Sequence, residues 1–305
     1  MKLAMVFPGQ GSQAVGMLKG YGGLPTVAET IAEASNVLGA DFVKLLEEGP
    51  AEKLNLTVNT QPAMVTAGIA AFRAWRALGG PMPEIVAGHS LGEYSALVAA
   101  GAIEFKDCLP LVRFRAQSMQ EAVPEGQGAM AAVLMLDDDI VRAACAEAGG
   151  TVQAVNFNAP GQVVIAGEKA AVERAMEVCK TKGAKRAMLL PVSAPFHSTL
   201  MKPAAERLGS YLDKVQLQIP KISVINNVDV AIETAPDKIK HALVRQAASP
   251  VRWVETIRQM IDSGVTHIVE CGPGKVLAGM TKRIAPNVKS FAAADRASLE
   301  EALKC

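Results

Sequence analysis

The sequence predicts an α/β protein in which a parallel sheet is interrupted by a smaller inserted unit. Short buried apolar runs alternate with stretches of helical spacing along most of the 305 residues. Half of the chain is hydrophobic, largely Ala, Val, Leu, Ile and Met, which suits helices packed on a parallel sheet. Within 124–191 the order is strand, helix, strand, strand, helix, strand, which is that of a ferredoxin-like β-α-β-β-α-β unit.

The first section contains two buried strands separated by helical patterns. Pro8 and Gly9 end the first strand, and Pro62 is expected in the first turn of the second helix. Strands are predicted at 3–7 and 85–87, and helices at 26–38, 61–78, 93–100 and 107–121.

The inserted unit is predicted to contain four strands and two helices. Its middle strands are joined by a turn expected to contain Asn158, Pro160 and Gly161, and Gly183 closes its second helix. Strands are predicted at 129–136, 152–157, 162–166 and 187–192, and helices at 137–148 and 169–182.

After the insertion the α/β alternation resumes. Strands are predicted at 222–227, 265–271 and 288–293, and helices at 201–215, 238–247, 251–262, 275–284 and 298–303. We therefore expect a larger α/β domain over 1–123 and 195–305 and an inserted subdomain over 124–194. A cleft between the two is a natural ligand site.

Composition excludes several classes of protein. Lys and Arg total 31 and Asp and Glu total 30, which argues against a general nucleic-acid binder or a polybasic membrane protein. The apolar run at 3–7 is too short for a signal peptide or a membrane span. The cysteines are far apart, with no CxxC, and their odd number suits reduced thiols in a cytoplasmic protein. They are Cys108, Cys145, Cys179, Cys271 and Cys305. His267 and Cys271 are four residues apart but alone, so no metal site is predicted.

The sharpest motif is Gly88-His89-Ser90-Leu91-Gly92, between the strand at 85–87 and the helix at 93–100. A G-x-S-x-G sequence in that context is a nucleophile elbow, in which the serine lies on a tight turn. The flanking glycines are needed because side chains there would clash, and the helix N-terminus directs free N–H groups at a developing oxyanion. Ser90 is the predicted nucleophile.

A serine nucleophile needs a base, and the chain has four histidines. His89 adjoins Ser90 and is expected to point away from it. His241 falls in a charged helix, and His267 falls in an apolar strand, where a core histidine is expected. His197 lies in a loop where the inserted unit rejoins the larger domain, and loops on a rigid scaffold often carry catalytic groups. We predict His197 as the base.

The partners of this pair are less defined. No acid stands out to orient His197, so backbone carbonyls or an amide such as Gln246 could hold the imidazole. A second oxyanion donor should come from an early strand–helix loop, where Gln10 offers a backbone N–H beside that of Leu91. The same turn loosely matches a dinucleotide fingerprint, but the acids about twenty residues on fall in a helix, which disfavours nucleotide binding.

Arg113 and Arg115 lie two residues apart in a mostly apolar helix, so they face different directions. At least one is expected on the core side, where a guanidinium needs a carboxylate or phosphate partner. Periodicity alone leaves a structural salt bridge and a substrate clamp equally open.

Five segments, spread in order over nearly the whole chain, together resemble the malonyl-CoA:acyl carrier protein transacylase family. No catalytic position departs from the family pattern. The segments are Phe7-Pro8-Gly9-Gln10-Gly11-Ser12-Gln13, Gly88-His89-Ser90-Leu91-Gly92-Glu93-Tyr94, Arg113-Phe114-Arg115, Pro195-Phe196-His197-Ser198 and Ala248-Ser249-Pro250-Val251-Arg252-Trp253.

The resemblance implies an α/β-hydrolase-like core with an inserted ferredoxin-like subdomain. It implies Ser90 as nucleophile and His197 as base, and it places the oxyanion hole at Gln10 and Leu91. It also places Arg115 on the malonyl carboxylate.

Three further positions match the family. Gln246 matches the amide near the catalytic histidine, whose orientation in this family comes from backbone carbonyls. Asn158 matches a loop that lines the cleft. Phe196, which precedes the histidine, looks like the residue found at this position in malonyl-selective members of the family.

The implied activity is malonyl transfer from malonyl-CoA to the phosphopantetheine thiol of acyl carrier protein, through a malonyl-serine and with ping-pong kinetics. The implied pathway is type II fatty acid synthesis, with a polyketide role open. We expect no permanently bound cofactor and no nucleic-acid or membrane partner. Two alternative functions remain. One is that of a serine esterase or thioesterase, and the other is that of a non-catalytic acyl-thioester-binding or regulatory protein.

Overall fold

The computed structural model describes residues 1–192 and 194–304, so Ser193 and Cys305 lie outside the described residues. It contains a five-stranded parallel sheet and a separate four-stranded antiparallel sheet, which confirms the predicted α/β class. None of the described helices is long and apolar enough to cross a membrane.

The first section supplies two central strands of the parallel sheet and most of the helices on one of its faces. Two of its helices were not predicted, because Gly39, Gly49 and Pro50 interrupt the apolar spacing there. The elements are β1 (Leu3–Phe7), α1 (Pro25–Leu38), α2 (Ala40–Glu48), α3 (Ala51–Leu54), α4 (Thr57–Ala77), β2 (Ile85–Gly88), α5 (Gly92–Ala99) and α6 (Phe105–Glu121).

Helix α4 begins at Thr57, so Pro62 lies inside the helix and not in its first turn, as had been predicted. The hydroxyl of Thr60 donates to the carbonyl of Leu54 at 2.6 Å and to that of Leu56 at 3.1 Å. The bond to the Leu54 carbonyl ties the first turn of α4 to the end of α3, a contact that apolar spacing alone does not reveal.

The middle section forms the antiparallel sheet, in the order β4-β5-β3-β6, with two helices packed on it. The predicted sequence of strands and helices is confirmed. Asn158, however, lies within β4 and not in the turn, because the strand continues until Pro160. The elements are β3 (Gly128–Leu134), α7 (Asp138–Ala148), β4 (Val152–Ala159), β5 (Gln162–Glu168), α8 (Lys169–Thr181) and β6 (Arg186–Leu189).

The last section returns to the parallel sheet and completes its order, β7-β2-β1-β8-β9. Every predicted element of this section is present; six of the eight C-terminal ends coincide with the prediction, and no end differs by more than three residues. The elements are α9 (Lys202–Leu212), β7 (Ser223–Ile225), α10 (Pro236–Ala247), α11 (Trp253–Asp262), β8 (His267–Cys271), α12 (Val276–Ile284), β9 (Lys289–Ala293) and α13 (Arg296–Leu303).

Strand β1 explains why the parallel sheet needs a helical layer on each face. All of its residues are buried. Leu3, Met5 and Phe7 pack with residues of α4 and α6, while Ala4 and Val6 pack with residues of α11 and α12. Successive side chains of a strand point to opposite faces, so a continuous apolar run must be covered on both.

The turn between β2 and α5 is a close approach of backbone to backbone. Ser90 lies in the left-handed region, with a φ of 51°. A β-carbon on Gly88 would lie 1.8 Å from the carbonyl carbon of Gly92, and one on Gly92 would lie 2.0 Å from the carbonyl oxygen of Phe7. The side chain of Asn227 accepts from the Ser90 N–H and donates to the Gly88 carbonyl, both at 2.7 Å. These contacts hold a serine backbone that costs about 1–3 kcal/mol in strain.

Substituting Gly88 by alanine should lower the free energy of unfolding by at least about 3 kcal/mol, because the new β-carbon overlaps backbone atoms and not a movable side chain. Gly279→Ala is the matched control, since Gly279 is exposed on α12 with no atom within 4 Å of an added β-carbon. It should raise the free energy of unfolding by about 0.5–1 kcal/mol. Denaturant unfolding measures both, and similar stabilities for the two variants would contradict the steric argument.

Candidate active site

A cavity of about 500 Å³ lies between the two sheets, where β1 and β2 end. One wall comes from the turns that follow β1 and β2, and the opposite wall comes from β3, β4 and β5. Five of the six predicted site residues line it, namely Gln10, Ser90, Leu91, Arg115 and His197. The sixth, Gln246, is fully buried behind the cavity and contacts three of the others.

Ser90 and His197 form a hydrogen-bonded pair. The Oγ of Ser90 lies 2.6 Å from Nε2 of His197, and Nδ1 of His197 lies 2.9 Å from the backbone carbonyl of Gln246. A carbonyl can only accept, so Nδ1 carries the imidazole proton and Nε2 is left to accept from the serine hydroxyl. The pair therefore has the polarity of a nucleophile and its base, with a backbone carbonyl in the orienting position.

The imidazole of His197 is almost completely buried, and its environment favours the neutral form. Burial first, and then the positive charge of Arg115, lower the pKa of His197 to about 3. The imidazole thus stays unprotonated, and able to take a proton, well below its usual titration range.

Arg115 is buried, with 2% of its surface exposed, and its hydrogen-bond acceptors among the described residues are neutral. One terminal nitrogen donates to Oε1 of Gln61 at 2.8 Å. The other donates to Oε1 of Gln246 at 3.0 Å and to Oγ of Ser90 at 3.2 Å. Within the described part of the chain, no group accepts a hydrogen bond from the Nε of Arg115. The Nε atom is itself buried, and the guanidinium carbon lies 5.3 Å from the centre of the Tyr94 ring, so the terminal nitrogens are the part of Arg115 that reaches Ser90 in the cavity.

Arg113 faces away from this cavity, as the two-residue spacing predicted. It is partly exposed, and its guanidinium lies 5.9 Å from the centre of the Phe42 ring. Burial alone lowers the pKa of Arg113. Of the two arginines, only Arg115 is placed to contact a molecule next to Ser90.

Glu93 was not predicted, yet it is buried at the centre of the network behind the site. Its Oε2 accepts from the side-chain amide of Gln246 and from the backbone N–H of Asn227, each at 2.9 Å. Burial raises the pKa of Glu93 to about 7, against the lowering effect of these bonds and of Arg115. Through one amide, Glu93 is thus linked to the guanidinium of Arg115.

Asn227 is a second residue that the sequence analysis missed, and Gln61 is a third. Asn227 holds the turn at Ser90, and Gln61 lies against Arg115. Their signal in the sequence is weak: Asn227 simply follows a short apolar strand, and Gln61 lies on a helix whose other buried residues are mostly apolar. Glu93 had a stronger signal, as a lone charge in the mostly apolar stretch after the elbow.

The two residues predicted as oxyanion donors, Gln10 and Leu91, both line the cavity. Leu91 precedes helix α5, and Gln10 lies in the turn after β1. Neither backbone N–H donates a hydrogen bond to another of the described residues. Both therefore remain available to an oxygen atom in the cavity.

The other histidines have different surroundings. Nε2 of His89 bonds Oδ1 of Asn158 at 2.7 Å and not Ser90, in keeping with the predicted structural role, and Asn158 lines the cavity. His241 is exposed on α10. The prediction for His267 is wrong: it is not a core histidine, because β8 begins at this residue and leaves it partly exposed, with Nδ1 2.9 Å from the Thr266 hydroxyl.

The chain is similar to known proteins over its whole length. The family model described as acyl transferase domain matches residues 4–298. The malonyl CoA-acyl carrier protein transacylase of Escherichia coli strain K12 is 54% identical, over 99% of both chains.

Solved structures agree. The acyl-carrier-protein S-malonyltransferase of Burkholderia pseudomallei is 64% identical, with a TM-score of 0.98 over 100% of both chains. A malonyl-transacylase in complex with its type II PKS acyl-carrier protein is 53% identical, with a TM-score of 0.98 over 100% of this chain and 99% of that chain. The chain therefore belongs to the acyl transferase domain family and, within it, to the malonyl CoA-acyl carrier protein transacylases.

Proposed function

We propose that this chain transfers a malonyl group from malonyl-CoA to the phosphopantetheine thiol of acyl carrier protein, through a malonyl ester of Ser90. The observation that carries the proposal is the combination, in one cavity, of the Ser90–His197 pair and the buried guanidinium of Arg115. The first suits acyl transfer, and the second suits an acyl group that ends in a carboxylate.

The first half-reaction acylates the serine. His197 takes the hydroxyl proton through Nε2 as Oγ of Ser90 attacks the thioester carbonyl. The oxyanion that forms is stabilised by the backbone N–H groups of Gln10 and Leu91. The tetrahedral intermediate then collapses, the carbon–sulfur bond breaks, and the thiol of coenzyme A leaves with the proton from His197.

The second half-reaction uses the same groups in the same order. The phosphopantetheine thiol of the carrier protein gives its proton to His197 and attacks the malonyl ester. The oxyanion hole again stabilises the intermediate, and Ser90 recovers its proton as it leaves. Because the first product departs before the second substrate reacts, the kinetics are ping-pong.

Arg115 selects the acyl group. Its guanidinium can donate to the malonyl carboxylate, and an acyl group without a carboxylate leaves the buried charge unpaired. This feature also separates the proposal from a general esterase or thioesterase, which has no need for a buried cation next to its nucleophile. The side chain of Gln246 supports the clamp from behind.

We also propose that the parallel-sheet unit is an α/β-hydrolase-like core, 1–123 and 195–305, with a ferredoxin-like subdomain at 124–194. The strand order β4-β5-β3-β6 and the split β-α-β connections support the second assignment. We place the protein in the cytoplasm and in fatty acid biosynthesis, without a permanently bound cofactor. The four described cysteines are unpaired, which suits a reducing compartment.

Replacing Ser90 by alanine should abolish covalent malonylation, because among the described residues no other hydroxyl shares its elbow and its base. Intact-mass spectrometry after mixing with malonyl-CoA measures the modification, and circular dichroism checks the fold. Wild-type protein is the positive control. A malonyl adduct on the Ser90→Ala protein would assign the nucleophile to a different residue.

Arg115→Ala should lower kcat/KM for malonyl-CoA by about a hundredfold or more, since two charge-assisted bonds of about 1.5–3 kcal/mol each are lost. The value of kcat/KM for acetyl-CoA, whose acyl group has no carboxylate, should fall much less or even rise. Removing a buried side chain also leaves Gln61 and Gln246 with unpaired oxygens, so thermal stability must be compared as well.

Arg113→Ala is the matched control, because that arginine lies outside the cavity, and it should leave the ratio of malonyl to acetyl activity unchanged. An equal loss of both activities in Arg115→Ala would assign Arg115 a structural role. Loss of selectivity in Arg113→Ala would contradict the orientation of the helix.

The rate of acylation should remain high below pH 6.5. The pKa of His197 is lowered to about 3, so the neutral imidazole persists as the pH falls and is lost only near that value. A histidine with an unperturbed pKa of about 6.5 would instead lose about tenfold in rate between pH 7.5 and pH 5.5. Rapid-quench acylation across this range, corrected for unfolding, measures the profile.

Two variants identify the titrating group. In Arg115→Ala, assayed with acetyl-CoA, the acid limb should move to higher pH, because a neighbouring positive charge has been removed. Glu93, whose pKa is raised to about 7, also titrates in this range. A limb near pH 7 that persists in Glu93→Gln would therefore contradict the neutral state of His197.

A further inference from the structure

The turn that carries Gln10 has little backbone support of its own. Gln10 and Gly11 form a turn, but residues 8–13 make no backbone-to-backbone hydrogen bond with the rest of the described chain. The turn nevertheless packs closely on the elbow, since a β-carbon on Gly9 would lie 2.6 Å from the carbonyl oxygen of His89. Hydrogen bonds from side chains therefore tie this turn to the rest of the chain.

Side chains at the start of helix α4 provide that support. The hydroxyl of Thr57 donates to Oε1 of Gln10 at 2.8 Å. Asn55 accepts from the side-chain amide of Gln13 at 2.9 Å, and Gln13 in turn accepts from the N–H of Gly11 at 2.7 Å. Of these anchors, only Thr57 holds the residue that supplies the proposed oxyanion donor.

Thr57 is also joined to the carboxylate clamp. Its hydroxyl oxygen accepts from Nε2 of Gln61 at 3.3 Å, one helical turn away, and Oε1 of Gln61 accepts from Arg115. Thr57 is buried, with 2% of its surface exposed, and it does not line the cavity. Its hydroxyl has a single proton, and that proton is used on Gln10.

We propose that Thr57 is a positioning residue that holds Gln10, and with it the oxyanion hole, through its hydroxyl group. The inference rests on the proposed function only in taking the N–H of Gln10 as an oxyanion donor. Stabilisation of an oxyanion depends on donors fixed at 2.7–3.1 Å from it, so a turn that loses its anchor loses rate for every acyl group alike.

Thr57→Val tests this directly, because valine keeps the shape of threonine and removes only the hydroxyl. It should lower the single-turnover rate of Ser90 acylation about tenfold with malonyl-CoA, acetyl-CoA and p-nitrophenyl acetate, with smaller changes in half-saturating concentration. Thr57→Ser restores the hydroxyl and should stay within about threefold of wild type. The nitrophenyl ester needs the oxyanion hole but neither coenzyme A nor a carboxylate, so it reports on Thr57 even if malonyl-CoA is not the substrate.

Gln10→Ala breaks the same bond from the other side while keeping the backbone N–H. Gln10→Ala should itself lower the rate of Ser90 acylation with all three acyl donors. Adding Thr57→Val to the Gln10→Ala protein should then lower this rate no further. This variant also covers the case in which Thr57→Val fails to fold.

Four results would overturn the proposal. The first is an unchanged acylation rate in Thr57→Val, and the second is a loss of rate confined to malonyl-CoA, which would mean that Thr57 acts through Gln61 on Arg115. The third is a full acylation rate in Gln10→Ala. The fourth is an equal effect of Thr57→Val on the rate with and without the Gln10 side chain.

Discussion

The buried charge of Arg115 is the constraint around which the site is organised. Its guanidinium is buried, yet among the described residues it hydrogen-bonds the neutral oxygens of Gln61, Gln246 and Ser90 and lies over the ring of Tyr94. Glu93 lies one amide away, bonded to the other side of Gln246. A carboxylate in direct contact would stabilise the empty protein more, but it would occupy the donors that the proposed substrate needs. Neutral acceptors hold the charge and leave its pairing incomplete.

The same charge explains how the base is held. In a Ser-His-Asp triad a buried carboxylate orients the imidazole and favours its protonated form. A carboxylate at that position here would compete with the acyl carboxylate for Arg115. The backbone carbonyl of Gln246 selects the same tautomer of His197 without adding a charge. Arg115 and burial then keep the imidazole neutral, so the proposed base and the proposed clamp are compatible within one small cavity.

How much of this could be read from the sequence depends on how local each signal is. Strand β1 and the β-α-β-β-α-β unit were predicted because alternation and spacing are local patterns, and Ser90 was predicted because its motif includes its own context. Glu93 was missed because its partners, Asn227 and Gln246, lie 134 and 153 residues away. The burial of His267 was misjudged because an apolar strand pattern does not tell which end of the strand is open. The role of Arg115 came from the family resemblance, since periodicity left it open, and Gln246 was one of several groups that could hold His197 until the resemblance was considered.

Backbone hydrogen bonds between β4 and the larger unit limit how far the cavity can widen. The N–H of Phe157 donates to the carbonyl of Val251 at 3.0 Å, and the N–H of Val251 donates to the carbonyl of Val155 at 2.8 Å. Strand β4, which forms part of the wall opposite Ser90, is therefore attached to the larger unit by its backbone. Widening the cavity on that side would break these bonds, each of which contributes about 0.5–1.5 kcal/mol. We therefore expect the wall formed by β4 to restrict the size of the acyl group, while the proposed clamp at Arg115 selects its charge.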